Sequence, residues 1–142
     1  MKKIIAVVML LVSSISYAYI NLYPLEFNKD ITQGAGERFV LYNRSTKDRR
    51  YRIYVESVEG KESMADWIEV YPKSISLQPL REKAVRVYVT PPANTPQGEY
   101  QANLVIKEVA LPTPQQDKEE QEKKTRVMTM VKLRLKGRVN YE

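Results

Sequence analysis

The residues of this chain that could do chemistry are few, and they cluster near its C-terminal end. Val127, Met128, Thr129, Met130 and Val131 form an uncharged run, and Arg134 follows inside a strongly basic stretch. An arginine can hold a carboxylate through two parallel charged hydrogen bonds. An uncharged alternating run can add itself, through its backbone, to the sheet of a partner. Neither makes or breaks a covalent bond, and the commonest groups for bond-making are missing, which leaves only Asp, Glu, Lys and Ser to an enzyme. The chain has no His and no Cys. That removes the commonest general base, the thiol nucleophile and the usual soft metal ligands. No glycine-rich phosphate loop and no nucleophile elbow occurs. The carboxylates have no calcium-loop spacing, and Glu119, Glu120 and Glu122 lie in a solvated charge run. The reading is a protein that binds another protein, with no catalytic residue, no metal and no cofactor.

The segment that must position these residues is one long strand, Thr125 to Val139. Val127, Thr129, Val131, Leu133 and Leu135 share one face, and Met128, Met130, Lys132, Arg134 and Lys136 share the other. A strand covered on one side only should be polar on the other. From Val127 to Val131 neither side is charged. Two readings stay open. The strand is central and buried on both faces, or it packs on its own core and offers the other face, or its open edge, to a partner. Methionine suits an adaptable surface and fills core gaps equally well.

The elements before it alternate with period two almost throughout. Ile20, Leu22 and Tyr23 to Phe27 make a first, irregular strand broken by Pro24. Proline lacks a ladder donor, so this strand lies at an edge or switches sheets. Phe39 to Tyr42 is a short strand ending at Asn43-Arg44-Ser45. That triplet is formally a glycosylation acceptor and reads better as a turn held by its own side chains. Tyr51, Ile53 and Val55 point one way. Trp67–Tyr71 and Ile75–Leu77 are short strands. Val85, Val87 and Val89 point inward, as do Tyr100, Ala102, Leu104 and Ile106. The expected fold is all-β, an immunoglobulin-like Greek-key β-sandwich of about seven to eight antiparallel strands. Residues 110–124 (ALPTPQQDKEEQEKK) are proline-bearing and densely charged, and their composition predicts a mobile loop.

The start of the chain, MKKIIAVVMLLVSSISYA, has a basic lead, an apolar run and small residues ending at Ala18. It reads as a cleaved signal peptide over 1–18, leaving 19–142 as one domain that does not span a membrane. The destination is the periplasm, with the cell surface as the alternative. The formal charge of +6 is mild. Its clusters, Arg44–Arg52 and Lys123–Arg126, read as solvated loops or strand edges, and nucleic acid is not an expected partner.

Several stretches in order resemble the N-terminal immunoglobulin-like domain of periplasmic pilus-assembly chaperones, the PapD-like family. They are FVLYNRS at Phe39–Ser45, WIEVYPKSISLQPLREKAVRVYVTPP at Trp67–Pro92, GEYQANLVIKEVALP at Gly98–Pro112 and VKLRLKGRV at Val131–Val139. The resemblance covers Tyr19–Val139, one of the family's two sandwich domains. It implies donor-strand work, in which alternating residues of the last strand fill the groove of a pilus or fibre subunit. By position, Val127, Thr129 and Val131 match the donor residues, and Arg134 matches the basic residue that grips the subunit's terminal carboxylate. The family's second basic anchor has no counterpart at Tyr23-Pro24-Leu25-Glu26. The partners implied are a subunit of a pilus or surface fibre and, further, an outer-membrane usher. The alternative function is a structural or adhesive surface protein, a fibre subunit or accessory domain, on the same fold.

Overall fold

Alternating residues become strands when one face can be buried, and two such faces must meet. The computed structural model describes residues 20–110 and 129–141. They form β1 (Ile20–Tyr23), β2 (Phe27–Asp30), β3 (Ala35–Asn43), β4 (Arg49–Glu56), β5 (Ile68–Tyr71), β6 (Ser74–Leu77), β7 (Glu82–Val89), β8 (Gly98–Val109) and β9 (Met130–Val139), with a single 3-10 turn at Ala65–Trp67. One sheet has the order β1-β3-β7-β5 and the other β2-β9-β8-β4-β6. The expected immunoglobulin-like sandwich is present. The leader at 1–18, the loop residues 111–124, and Val127 and Met128 lie outside the described residues.

The faces are those the alternation indicates. Phe39, Leu41, Tyr51, Ile53, Val85, Val87, Val89, Ala102, Leu104 and Ile106 are buried between the sheets. Two details differ from the expectation, and both trace to Pro24. The first strand is two strands, because the chain leaves one sheet at Tyr23 and enters the other at Phe27. That raises the count to nine. The second piece, β2, runs parallel to β9, from Phe27 opposite Leu135 to Asp30 opposite Arg138, so the sandwich is not wholly antiparallel. A similar crossing occurs at Pro72, between β5 in one sheet and β6 in the other. Proline suits both places, where no ladder bond is needed from its nitrogen.

The turn after β3 is the side-chain turn expected at Asn43-Arg44-Ser45. The Asn43 amide is fully buried and donates from Nδ2 to the carbonyls of Lys47 at 2.8 Å, Leu77 at 3.1 Å and Gln78 at 3.2 Å. Its Oδ1 accepts from the backbone N–H and the hydroxyl of Ser45, at 2.9 and 2.7 Å. An amide so enclosed and so fully bonded is a structural lock rather than an attachment point.

Candidate functional site

Along its whole length β9 has β8 on one side, from Met130 opposite Lys107 to Val139 opposite Gly98. On the other side β2 covers it only from Leu135 to Arg138. The outer edge from Met130 to Arg134 therefore has no partner strand among the described residues. Pro24 is the cause. By continuation of the parallel register, residues 23–26 would be the ones to pair with this edge. Tyr23 is instead committed to β3, opposite Val40, and Pro24, Leu25 and Glu26 are crossing between sheets. An uncovered edge offers alternating N–H and C=O groups to any extended segment that reaches it.

The two faces of β9 are distinct. Val131 and Leu133 are half-buried and pack against the core, and Leu135 and Val139 are buried. The opposite face carries Met130, 48% exposed, followed by Lys132, Arg134, Lys136 and Arg138, all exposed. Of the sequence-derived site residues, the structure places Thr129, Met130, Val131 and Arg134 on or beside one open edge. Thr129 and Val131 lie on the side of the core, and Met130 and Arg134 lie on the solvent side.

Arg134 is held in a defined pose. Its Nε donates to Asn103 Oδ1 at 3.1 Å and its Nη1 to Gln101 Oε1 at 2.8 Å. Both acceptors are neutral, so the guanidinium is oriented without being neutralised. Lys132 behaves differently. Its Nζ lies 2.8 Å from Glu56 Oε1 on β4. That bond, ahead of the general attraction of the ammonium, holds the Glu56 carboxyl below its ordinary range, and it raises the Lys132 ammonium above its own. The pair crosses over β8 and leaves Arg134 as the cation of the open stretch with no ion pair among the described residues.

The start of β9 is fastened from below. The Thr129 N–H donates to Glu108 Oε2 at 2.9 Å, and the Thr129 carbonyl accepts from the Glu108 N–H at 2.8 Å. Glu108 Oε1 in turn lies 2.7 Å from Arg49 Nη1, and the two side chains are only 7% and 19% exposed. Arg49 Nε donates to Ser45 Oγ at 3.1 Å. A chain of polar contacts thus runs from the turn after β3, between the sheets, to the entry of β9. Tyr51 stands opposite Glu108, fully buried, and its hydroxyl has no hydrogen-bond partner among the described residues. Burial, reinforced by the Glu108 charge, pushes the phenol up to about 12.

Arg49 and Glu108 escape a reading based on solvated charge clusters. The signal that reveals them is parity. Glu108 continues the inward series Tyr100, Ala102, Leu104 and Ile106, and Arg49 precedes Tyr51 and Ile53 in theirs. Opposite charges at inward positions of two strands are best buried together. Arg49 is thus a part-buried partner of Glu108 on the inward side of its strand, and not part of a solvated basic cluster.

Resemblances to known proteins lie in solved structures. The periplasmic chaperone SfaE matches 86% of this chain, with 15% identity and a TM-score of 0.63. A chain of the Salmonella enterica SafA pilin–SafB chaperone complex matches 85%, with 14% identity and a TM-score of 0.61. The chain has a PapD-like fold. It spans 58% and 54% of the length of those two matched chains. A similar fold occurs in the Caenorhabditis elegans MSP family member WR4, which matches 87% of this chain over 100% of its own, with 13% identity and a TM-score of 0.56. No family model matches the sequence, and no curated protein sequence matches it significantly.

Proposed function

We propose that this PapD-like chain is an exported assembly chaperone that binds a subunit of a pilus or surface fibre by strand addition at β9. The observation that carries the reading is the open edge from Met130 to Arg134, bordered by a guanidinium oriented by Asn103 and Gln101. A subunit strand would add its backbone to this edge, and Arg134 would take a carboxylate of the subunit. Val127 and Met128 would extend the same binding strand, and an outer-membrane usher would be the next partner in the sequence of assembly. The resemblance to SfaE and to the SafA–SafB complex supports this reading. The compartment is the periplasm, reached by the leader at 1–18, and the protein catalyses nothing.

A second reading is a structural or adhesive domain at the cell surface; the fold alone does not decide between the two, since WR4 matches over 100% of its own length on a similar fold. Stoichiometry separates the two. A chaperone co-purifies from a periplasmic extract as a soluble one-to-one complex with a fibre subunit and is absent from finished fibres. Arg134→Ala should weaken that complex by roughly 1.5–3 kcal/mol, the worth of a hydrogen bond to a charged group. Recovery of this chain inside assembled fibres, with Arg134→Ala having no effect on partner binding, would overturn the chaperone reading.

A further inference from the structure

The outer face of the β9-containing sheet carries a second feature, on β4, β6 and β8. Arg52, Ile53, Tyr54, Lys73, Ser74, Lys107 and Val109 line an open groove of about 670 Å³. That is within the roughly 300–1,000 Å³ range of small-ligand sites. The strand register explains its charge. Arg52 stands directly opposite Lys107 on β8 and opposite Ser74 on β6. Like charges placed opposite each other across two strands repel. Lys73 adds a further cation at the rim. Neither Arg52, Lys73 nor Lys107 forms an ion pair among the described residues. The carboxylate next along this face of β4, Glu56, is already taken by Lys132 and Asn103.

We infer that this groove is a binding site for a soluble ligand bearing a doubly charged phosphate or pyrophosphate group. A guanidinium and two ammonium groups around one concavity match a compact dianion better than a single carboxylate. The hydroxyls of Tyr54 and Ser74 are further hydrogen-bond donors in the lining. The ring of Tyr54 and the side chain of Val109 give an apolar wall for whatever carries the phosphate. The opposed cations supply the drive, since a bound dianion converts a repulsion into two attractions. The groove adjoins the start of the open edge, Lys107 standing opposite Met130, but it uses none of that edge's backbone groups.

The test is a titration of the full, isotope-labelled chain with sodium pyrophosphate at about 0.15 M salt, where exposed charges are screened beyond roughly 8 Å. Saturable backbone shifts are expected at Arg52, Tyr54, Ser74 and Lys107. Arg52→Gln should weaken binding roughly tenfold, the equivalent of one charged hydrogen bond. The double variant Arg52→Gln/Lys107→Gln should abolish it. Arg38→Gln/Arg86→Gln removes the same charge from exposed, directly opposed positions on the other sheet. That variant should bind within about twofold of the parent if the groove rather than net charge is responsible. The amide spectrum of each variant reports its folding in the same experiment. Shifts that never saturate, or equal losses in the two double variants, would overturn the inference. Binding to phosphatidylglycerol vesicles without any to pyrophosphate would replace it with a membrane surface.

Discussion

Glu108→Gln tests the fastening of β9. The substitution keeps a carbonyl oxygen that can accept the Thr129 N–H, and it removes the charge that faces Arg49 at 2.7 Å. Breaking one side of a buried ion pair costs about 3–5 kcal/mol, because the remaining charge stays desolvated. Arg49 keeps its bond to Ser45 and is about a fifth exposed. The lower end of that range, about 3 kcal/mol, is therefore expected. Against a total of roughly 5–15 kcal/mol this is a large fraction. It should lower the melting temperature by roughly 10–20 °C for a domain of this size. Urea unfolding should show a shifted midpoint with an unchanged slope, since the surface exposed on unfolding is the same. The double variant Arg49→Met/Glu108→Leu should recover to within about 1–2 kcal/mol of the parent, as apolar replacement of a buried pair often does. A loss below about 1 kcal/mol in Glu108→Gln would refute the reasoning, since it would mean that the pair is screened as a surface pair is.

Tyr51→Phe should be neutral or stabilising by up to about 1–3 kcal/mol, because it removes a buried hydroxyl that has no partner among the described residues. The same residue sets an alkaline limit. Its phenol lies at about 12 when folded and at an ordinary 10 when unfolded, so its contribution is complete below pH 10 and is lost as pH rises toward 12. The gap corresponds to roughly 2–3 kcal/mol, and the difference between parent and Tyr51→Phe in urea titrations from pH 9 to about 12 measures it. Gly137→Ala should destabilise by roughly 1–3 kcal/mol, since a methyl there would meet Ile31 Cδ1 at 2.7 Å and Met64 Sδ at 2.9 Å in a filled core. Thermal melts compare it with Gly60→Ala, where nothing stands within 4 Å but the φ of +74° carries its own strain. Met130→Asp should leave stability within about 0.5 kcal/mol, as an exposed site does, while weakening subunit binding in a pull-down.

Much of the fold is legible because a strand's faces are a local property. The inward sets at Tyr51–Val55, Val85–Val89 and Tyr100–Ile106 need nothing beyond period-two spacing, and Pro24 announces an edge or a crossing on its own. What lies beside an edge is a property of distant residues. That β2 pairs with β9 in parallel, and stops at Leu135, depends on where the chain lands after Pro24 and cannot be read from β9 itself. Met64 shows another limit. It is fully buried, yet it stands alone in a polar loop with no alternation around it. The buried Arg49–Glu108 pair was visible in principle, but only by extending the inward parity of two strands onto charged residues. The orienting role of Gln101 and Asn103 follows from the β8–β9 register, which only the fold supplies.

The uncovered edge of β9 also governs how copies of this chain treat one another. A bare strand edge is a template for self-pairing and, from there, for aggregation. The solvent-side positions here are Met130, Lys132 and Arg134; Lys132 is paired with Glu56, so an alignment that brings Arg134 onto Arg134 sets one cation, unpaired among the described residues, on another across the new seam. At low ionic strength that repulsion keeps the chains apart, while an incoming strand carrying a carboxylate meets no such barrier. Raising the salt toward 1 M shrinks the screening length to about 3 Å and removes the distinction. Concentrated brine should therefore favour assembly of this protein with itself, and dilute buffer should keep its edge available to others.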